Sequence, residues 1–129
     1  GELVGGNISI LYSLLGSKSS INTKDKILFI EDLDEYLYHI DRMMFNLKRN
    51  GYFEKVKGII VGSMSDMHDN EIPFGQNEVQ IITEIAKENN IPIAFEFPAG
   101  HQKDNRTLIL GKKVDFEVNE NEIILRFKD

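Results

Sequence analysis

Glu31 follows the apolar run Ile27-Leu28-Phe29-Ile30 directly and opens a cluster of four acids, Glu31, Asp32, Asp34 and Glu35. Buried strands ordinarily end in turn-forming residues. Ending one in carboxylates puts negative charge at a sheet edge, where ligands bind in α/β folds. His101 occupies a second such place, after Pro98-Ala99-Gly100 and behind another apolar run. A glutamate that accepts a hydrogen bond from an imidazole fixes its tautomer and stabilises the imidazolium. An acid and a histidine, each at a strand end of one parallel sheet, therefore read as part of a catalytic triad. There is also a plainer reading of the same residues. His101 is then a surface histidine in a polar loop, and Asp34 and Glu35 favour the positive end of the following helix, with Asp34 as its cap. Glu31 stands apart because it is closest to the sheet, and an acid there needs a partner.

No nucleophile completes the pair. Gly62-Ser63-Met64-Ser65-Asp66 resembles a strand-to-turn serine elbow, but it does not match Gly-x-Ser-x-Gly and no helix follows at once. The chain has no cysteine, which removes a thiolate nucleophile, a disulfide and a Cys-based zinc site. Asp66, His68 and Asp69 share an acidic loop, yet their spacing fixes no ligand geometry, and no metal is expected there. His39 falls inside a helical pattern, and Asp41-Arg42 reads as a charge pair on that helix. Gly5-Gly6-Asn7 is too short to be a phosphate-cradling loop.

The elements that must position Glu31 and His101 follow from periodicity. A chain of 129 residues makes one domain large enough for its own core. Leu3-Val4 ends a strand, Gly5-Gly6-Asn7 turns, and Asn7 caps a helix that stops at Gly16. A buried strand covers 27–30, and a helix then runs to Gly51 with Leu37, Ile40, Met44 and Leu47 inward. A strand over 58–64, a polar loop over 65–75 and a helix over 77–89 follow, the helix with Val79, Ile82, Ile85 and Ala86 inward. Strands are predicted over 93–97, 107–110, 114–118 and 123–127, with Asn119-Glu120-Asn121-Glu122 as a hairpin turn. The fold class is α/β: a mixed, partly parallel sheet with βαβ units followed by an antiparallel meander, or a partly open barrel. The net charge of −6 argues against general nucleic-acid binding and against docking to anionic lipid. No apolar run reaches the roughly 18 residues of a membrane span. Cysteine-free composition fits a cytoplasmic protein. The beginning Gly1-Glu2-Leu3, without Met or cap, leads us to expect a natural chain that extends upstream.

Five blocks resemble the carboxyl-terminal domain of LD-carboxypeptidases, a serine-peptidase family that includes the microcin C immunity peptidases. They are Gly5-Gly6-Asn7-Ile8-Ser9, Lys26-Ile27-Leu28-Phe29-Ile30-Glu31-Asp32, Ile40-Asp41-Arg42-Met43, Val56-Lys57-Gly58-Ile59-Ile60-Val61-Gly62 and Gly100-His101. They agree in order and spacing across nearly the whole chain. The resemblance implies a two-domain protein. Its amino-terminal domain would carry the nucleophilic serine and most of the oxyanion hole. The carboxyl-terminal domain, of swivelling β/β/α type, would supply the glutamate and histidine, roles that fall on Glu31 and His101. The resemblance further implies release of the terminal D-alanine from murein tetrapeptides in cytoplasmic cell-wall recycling. It implies no metal or other cofactor and a homodimer as the usual assembly. The expected partners are thus the murein peptide, the amino-terminal domain of the same protein and a second copy. Gly5, Gly6 and Asn7 are candidate substrate-binding residues. This domain alone would then be inactive. Gln102 stands where the family often has a small residue, and Ile109 where it often has proline, so the exact peptide is left open. Two alternatives remain: hydrolysis of peptidyl-aminoacyl nucleotides on the same apparatus, and a non-catalytic binding module in which the acid and histidine are structural.

Overall fold

Alternate residues of the central strands serve two different cores, and this explains why the strands read as unbroken apolar runs. The computed structural model describes residues 1–129. Its elements are β1 (Leu3–Asn7), α1 (Ile8–Ser13), β2 (Ile27–Leu33), α2 (Leu37–Arg49), β3 (Gly58–Ser65), α3 (Glu78–Glu88), β4 (Ile93–Ala94), β5 (Val114–Val118) and β6 (Ile123–Phe127). Strands β1-β2-β3-β4 form a parallel sheet in that order, with a helix in each crossover, and β5-β6 form a separate antiparallel pair. Leu28, Ile30, Ile59 and Val61 pack with Ile8 and Leu11 of α1, Ile40, Met43, Met44 and Leu47 of α2, and Ile81, Ile82 and Ile85 of α3. Ile27, Phe29 and Ile60 pack on the other side with Leu3, Ala99 and Val114, joined by Phe97, Phe116, Leu125 and Phe127. The helices thus cover one face of the sheet and the hairpin covers the other.

The α/β class, the parallel βαβ portion and the 114–118/123–127 hairpin agree with the sequence reading; several local expectations do not. Residues 5–7 continue β1 rather than turning, because Gly5 lets β1 approach β2 closely: a Cβ there would lie 1.9 Å from the Phe29 carbonyl oxygen. Asn7 does cap α1, accepting from the Ile10 amide at 3.1 Å, but the helix ends at Ser13. Strand β4 is two residues long instead of five. Glu96, at φ +58°, turns the chain out of the ladder. Residues 107–110 form no strand, so the antiparallel part is a hairpin and not a three-stranded meander, and no barrel closes. Leu108 packs against the core on the hairpin side of the sheet, and the residues just after the segment bond the edge strand, Leu3 N donating to Lys112 O and Gly111 N donating to Leu3 O. Asp34 does not cap α2. The N-cap is Tyr36, without a side-chain bond, and Asp34 sits at φ +56°. On α3, Ile81 replaces Val79 in the buried stripe, and Val79 in the first turn is exposed. Asn77 and Gln80 form a reciprocal capping box there.

Candidate active site

Glu31 lies on β2 next to Phe29 in the alternation, so its side chain belongs to the face turned away from the helices. The strand register breaks at this point. Ile30 pairs with Val61, but Asp32 pairs with Met64, so Glu31 alone faces Gly62 and Ser63. Two residues opposing one is a β-bulge in β3, a device that re-aims side chains beside functional sites.

The segment after β4 is laid over this bulge by main-chain bonds. Phe97 N donates to Val61 O and Ser63 N to Ala99 O, each at 3.0 Å. Gly62 permits the crossing, since a Cβ would come within 2.4 Å of the Ala99 carbonyl oxygen. Gly100 then turns at φ +112°, a conformation that L side chains rarely adopt. A Cβ on Gly100 would lie 2.6 Å from Ser63 Oγ and 3.0 Å from Glu31 Oε2. The chain therefore passes directly against the Glu31 carboxylate and delivers His101 to it.

His101 Nδ1 and Glu31 Oε2 are 2.8 Å apart. The Glu31 side chain is 8% exposed and that of His101 50%. No lysine or arginine is salt-bridged to Glu31, so His101 is its one ionic partner. A buried carboxylate needs such a partner, and it holds the ring with Nδ1–H donating. Nε2, on the far edge of the half-exposed ring, is left as the basic nitrogen. The arrangement can accept a proton from a hydroxyl presented from outside this chain and return it to a leaving group.

The other sequence-singled residues have different surroundings. Asp32 is buried and accepts at both oxygens. Asn7 Nδ2 (3.0 Å) and Leu33 N (2.8 Å) donate to Oδ1, and Ser9 N (3.0 Å) and Ser9 Oγ (2.8 Å) donate to Oδ2. It ties the end of β2 to the start of α1. Asn7 pairs with Glu31 in the β1–β2 register, but its amide is taken up by Asp32 and the α1 cap. Gly5 serves strand approach, and only Gly6 faces open space. Glu35 Oε2 bonds His39 Nδ1 at 2.7 Å, and its Oε1 lies 3.1 Å from the Ser9 hydroxyl, whose one proton is shared with the nearer Asp32. Asp34 pairs with His68. Asp66, His68 and Asp69 do not converge: Asp69 accepts from the amides of Asn70 and Phe74, and no three potential ligands are grouped anywhere. Asp41 and Arg42 do not pair, because the Arg42 guanidinium lies 5.4 Å from the Tyr38 ring centre. Burial, with a smaller contribution from Glu84, raises the Asp41 carboxyl above the usual range.

Neither serine beside the site is set up as a nucleophile. Ser63 Oγ is buried without a hydrogen-bond partner, and Ser65 Oγ donates to the His101 carbonyl oxygen at 2.8 Å. A cavity of about 330 Å³ opens next to them, lined by Ser63, Ser65, Glu78, Val79, Glu96 and Gln102 among others. Sequence reasoning missed Asp32, whose partners lie 23 and 25 residues away. It also passed over Gly100, where a glycine immediately before a candidate histidine was the available signal.

Residues 1–116 match the family described as LD-carboxypeptidase C-terminal domain. A probable murein peptide carboxypeptidase of Bacillus subtilis is 35% identical over 129 residues, covering 97% of this chain and 39% of that protein. The microcin self-immunity protein MccF of Escherichia coli is 33% identical over 127 residues, covering 94% of this chain and 35% of that one. Among solved structures, the muramoyltetrapeptide carboxypeptidase of Oxalobacter formigenes superposes with a TM-score of 0.87 at 28% identity, over 100% of this chain and 45% of that chain. The chain thus spans about two-fifths of the length of the curated relatives it matches.

Proposed function

Because the chain belongs to the LD-carboxypeptidase family, as its carboxyl-terminal domain, we propose that it supplies the histidine and glutamate of a Ser-His-Glu triad in a murein tetrapeptide carboxypeptidase. The serine comes from an amino-terminal domain of the same protein, and the peptide binds between the two. The 2.8 Å contact between His101 Nδ1 and Glu31 Oε2 is the observation that carries this reading. His101 Nε2 takes the serine hydroxyl proton as the oxygen attacks the carbonyl that precedes the terminal D-alanine. The tetrahedral intermediate collapses when His101 returns that proton to the leaving D-alanine amine, leaving an acyl-enzyme. Water then repeats the cycle, giving its proton to His101 as it attacks the ester, and the serine recovers a proton on release. Glu31 stays ionised throughout and holds the ring. No step requires a metal or other cofactor, and we place the enzyme in the cytoplasm as a homodimer, in keeping with cell-wall recycling.

The test is D-alanine release from a murein tetrapeptide by the full-length protein. His101→Ala and Glu31→Gln are each expected to lower kcat by about 10² to 10⁴-fold. Wild-type turnover in either variant refutes the assignment. The 129-residue chain by itself is expected to release none. A second reading shares the apparatus. MccF, whose structure was determined with aspartyl sulfamoyl adenosine, superposes with a TM-score of 0.86, so the fold does not discriminate between a peptide and an aminoacyl nucleotide. Assaying both substrate classes side by side does.

A further inference from the structure

His101 must hold its ring against Glu31 while standing in a loop with little main-chain support. No main-chain hydrogen bond engages the His101 amide or carbonyl. Its neighbours are tied down. Gly100 N donates to Asn105 Oδ1 at 3.1 Å, Gln102 Nε2 donates to Phe97 O at 3.1 Å, and Arg106 N donates to Pro98 O at 2.7 Å. The His101 main chain itself has one hydrogen bond, the 2.8 Å bond from Ser65 Oγ to its carbonyl oxygen. Ser65 is a firm anchor. It ends β3, pairs with Leu33 of β2, and its carbonyl accepts from Asp34 N at 2.9 Å. The strand pair that presents the Glu31 carboxylate thus also grips the backbone of the histidine that meets it.

We propose that Ser65 is a positioning residue for His101: its hydroxyl fixes the His101 main chain so that Nδ1 stays on Glu31 and Nε2 keeps one direction. The proposal rests on the triad reading given above and adds a residue to it. A histidine held only through its ring can swing about the Nδ1···Oε2 bond as its main chain shifts, and so carry Nε2 away from a bound substrate. A second attachment, at the carbonyl, holds the main chain and removes that freedom. Small misplacements of a proton-transfer group cost far more in turnover than in substrate binding.

The experiment uses the full-length protein with Ser65→Ala and Ser65→Thr. Threonine keeps the hydroxyl and suits a strand end. We expect Ser65→Ala to lower kcat about tenfold with KM changed by less than about twofold, and Ser65→Thr to restore most of the loss. Wild-type kcat in Ser65→Ala overturns the proposal, as does an equal loss in a folded Ser65→Thr. A second measurement is independent of activity: the exchange of the His101 Nδ1 proton with solvent, read by NMR. It is expected to be faster in Ser65→Ala, and an unchanged rate overturns the proposal. If the wild-type protein releases no D-alanine, the triad reading fails, while the exchange measurement still decides the role of Ser65.

Discussion

Gly100→Ala tests the geometry of the site through a single methyl group. The residue sits at φ +112°, where a side chain costs about 1–3 kcal/mol of backbone strain. The added Cβ would also stand 2.6 Å from Ser63 Oγ, 3.0 Å from Glu31 Oε2 and 3.2 Å from Glu31 Cβ. These neighbours can yield to different extents. Ser63 Oγ has no hydrogen bond to lose, so it can rotate aside. Glu31 cannot retreat without lengthening its 2.8 Å contact with His101. The stability loss should therefore be about 2–4 kcal/mol, strain plus partly relieved overpacking. On the proposed triad the displaced group orients the base, so the loss of kcat should be about 10²-fold or more. Urea unfolding of the 129-residue chain measures the first, and D-alanine release by the folded full-length variant measures the second. A variant within about 0.5 kcal/mol of wild type, the scatter of ordinary surface changes, with wild-type kcat would refute the claim that the loop passes against Glu31.

Asp32→Ala removes the acceptor for the Ser9 amide, the Ser9 hydroxyl and the Asn7 side chain. It should cost about 2–4 kcal/mol, as charged hydrogen bonds and a helix-start anchor are lost together; urea titration at unchanged m-value is the check. Asp41 gives a pH signature of opposite sense to a paired acid. Its carboxyl is raised by burial and then by Glu84, so the folded state holds the proton more tightly than the unfolded state. Stability then falls as pH rises from the ordinary aspartate value of 3.8 through the raised one. Asp41→Asn should accordingly be more stable than wild type at pH 7 and indistinguishable from it at about pH 3. Unfolding curves at the two pH values decide it, and a gain that persists in acid speaks against this origin.

Much of the fold was legible because its signals are local. Ile27 to Ile30 and Gly58 to Val61 are apolar without alternation, which marks strands covered on both faces. The helix over 77–89 is legible in its apolar spacing, and the structure adds the capping box of Asn77 and Gln80 at its start. The errors fall where tertiary contacts decide. Leu108-Ile109-Leu110 has strand composition, yet Ile109 and Leu110 are each 50% exposed and only Leu108 joins a core. A short apolar run does not reveal whether a partner strand is available to it. The bulge opposite Glu31 is invisible locally, because register belongs to two strands and not to one. The pairing of Glu31 with His101 could be suspected from chemistry, but its partners are 70 residues apart. It depends on Gly62 and Gly100 making room for a chain that crosses the end of β3.

The acidic cluster after β2 shows how far burial, and not residue type, separates a site from its surroundings. The chain has three histidines, and each is bonded to an acid from residues 31–35. His101 meets Glu31, His68 meets Asp34, and His39 meets Glu35. Chemically these are the same carboxylate–imidazole pair. Their settings differ: the acid side chain is 8% exposed in Glu31, 22% in Glu35 and 71% in Asp34. An exposed pair contributes about 0–1 kcal/mol and is easily exchanged for water, so Asp34 and His68 can fasten a loop but cannot enforce one orientation of a ring. Glu35 stands just before the Tyr36 N-cap of α2 and bonds His39 in the first turn, four residues on, a contact local in sequence that fastens the helix start. Of the three histidine-paired acids only Glu31 is withdrawn from water, and leaving it unpaired would cost several times what an exposed pair gains. That asymmetry makes the Glu31–His101 bond obligatory where the other two are optional. A base that must keep one tautomer through a catalytic cycle needs that kind of constraint.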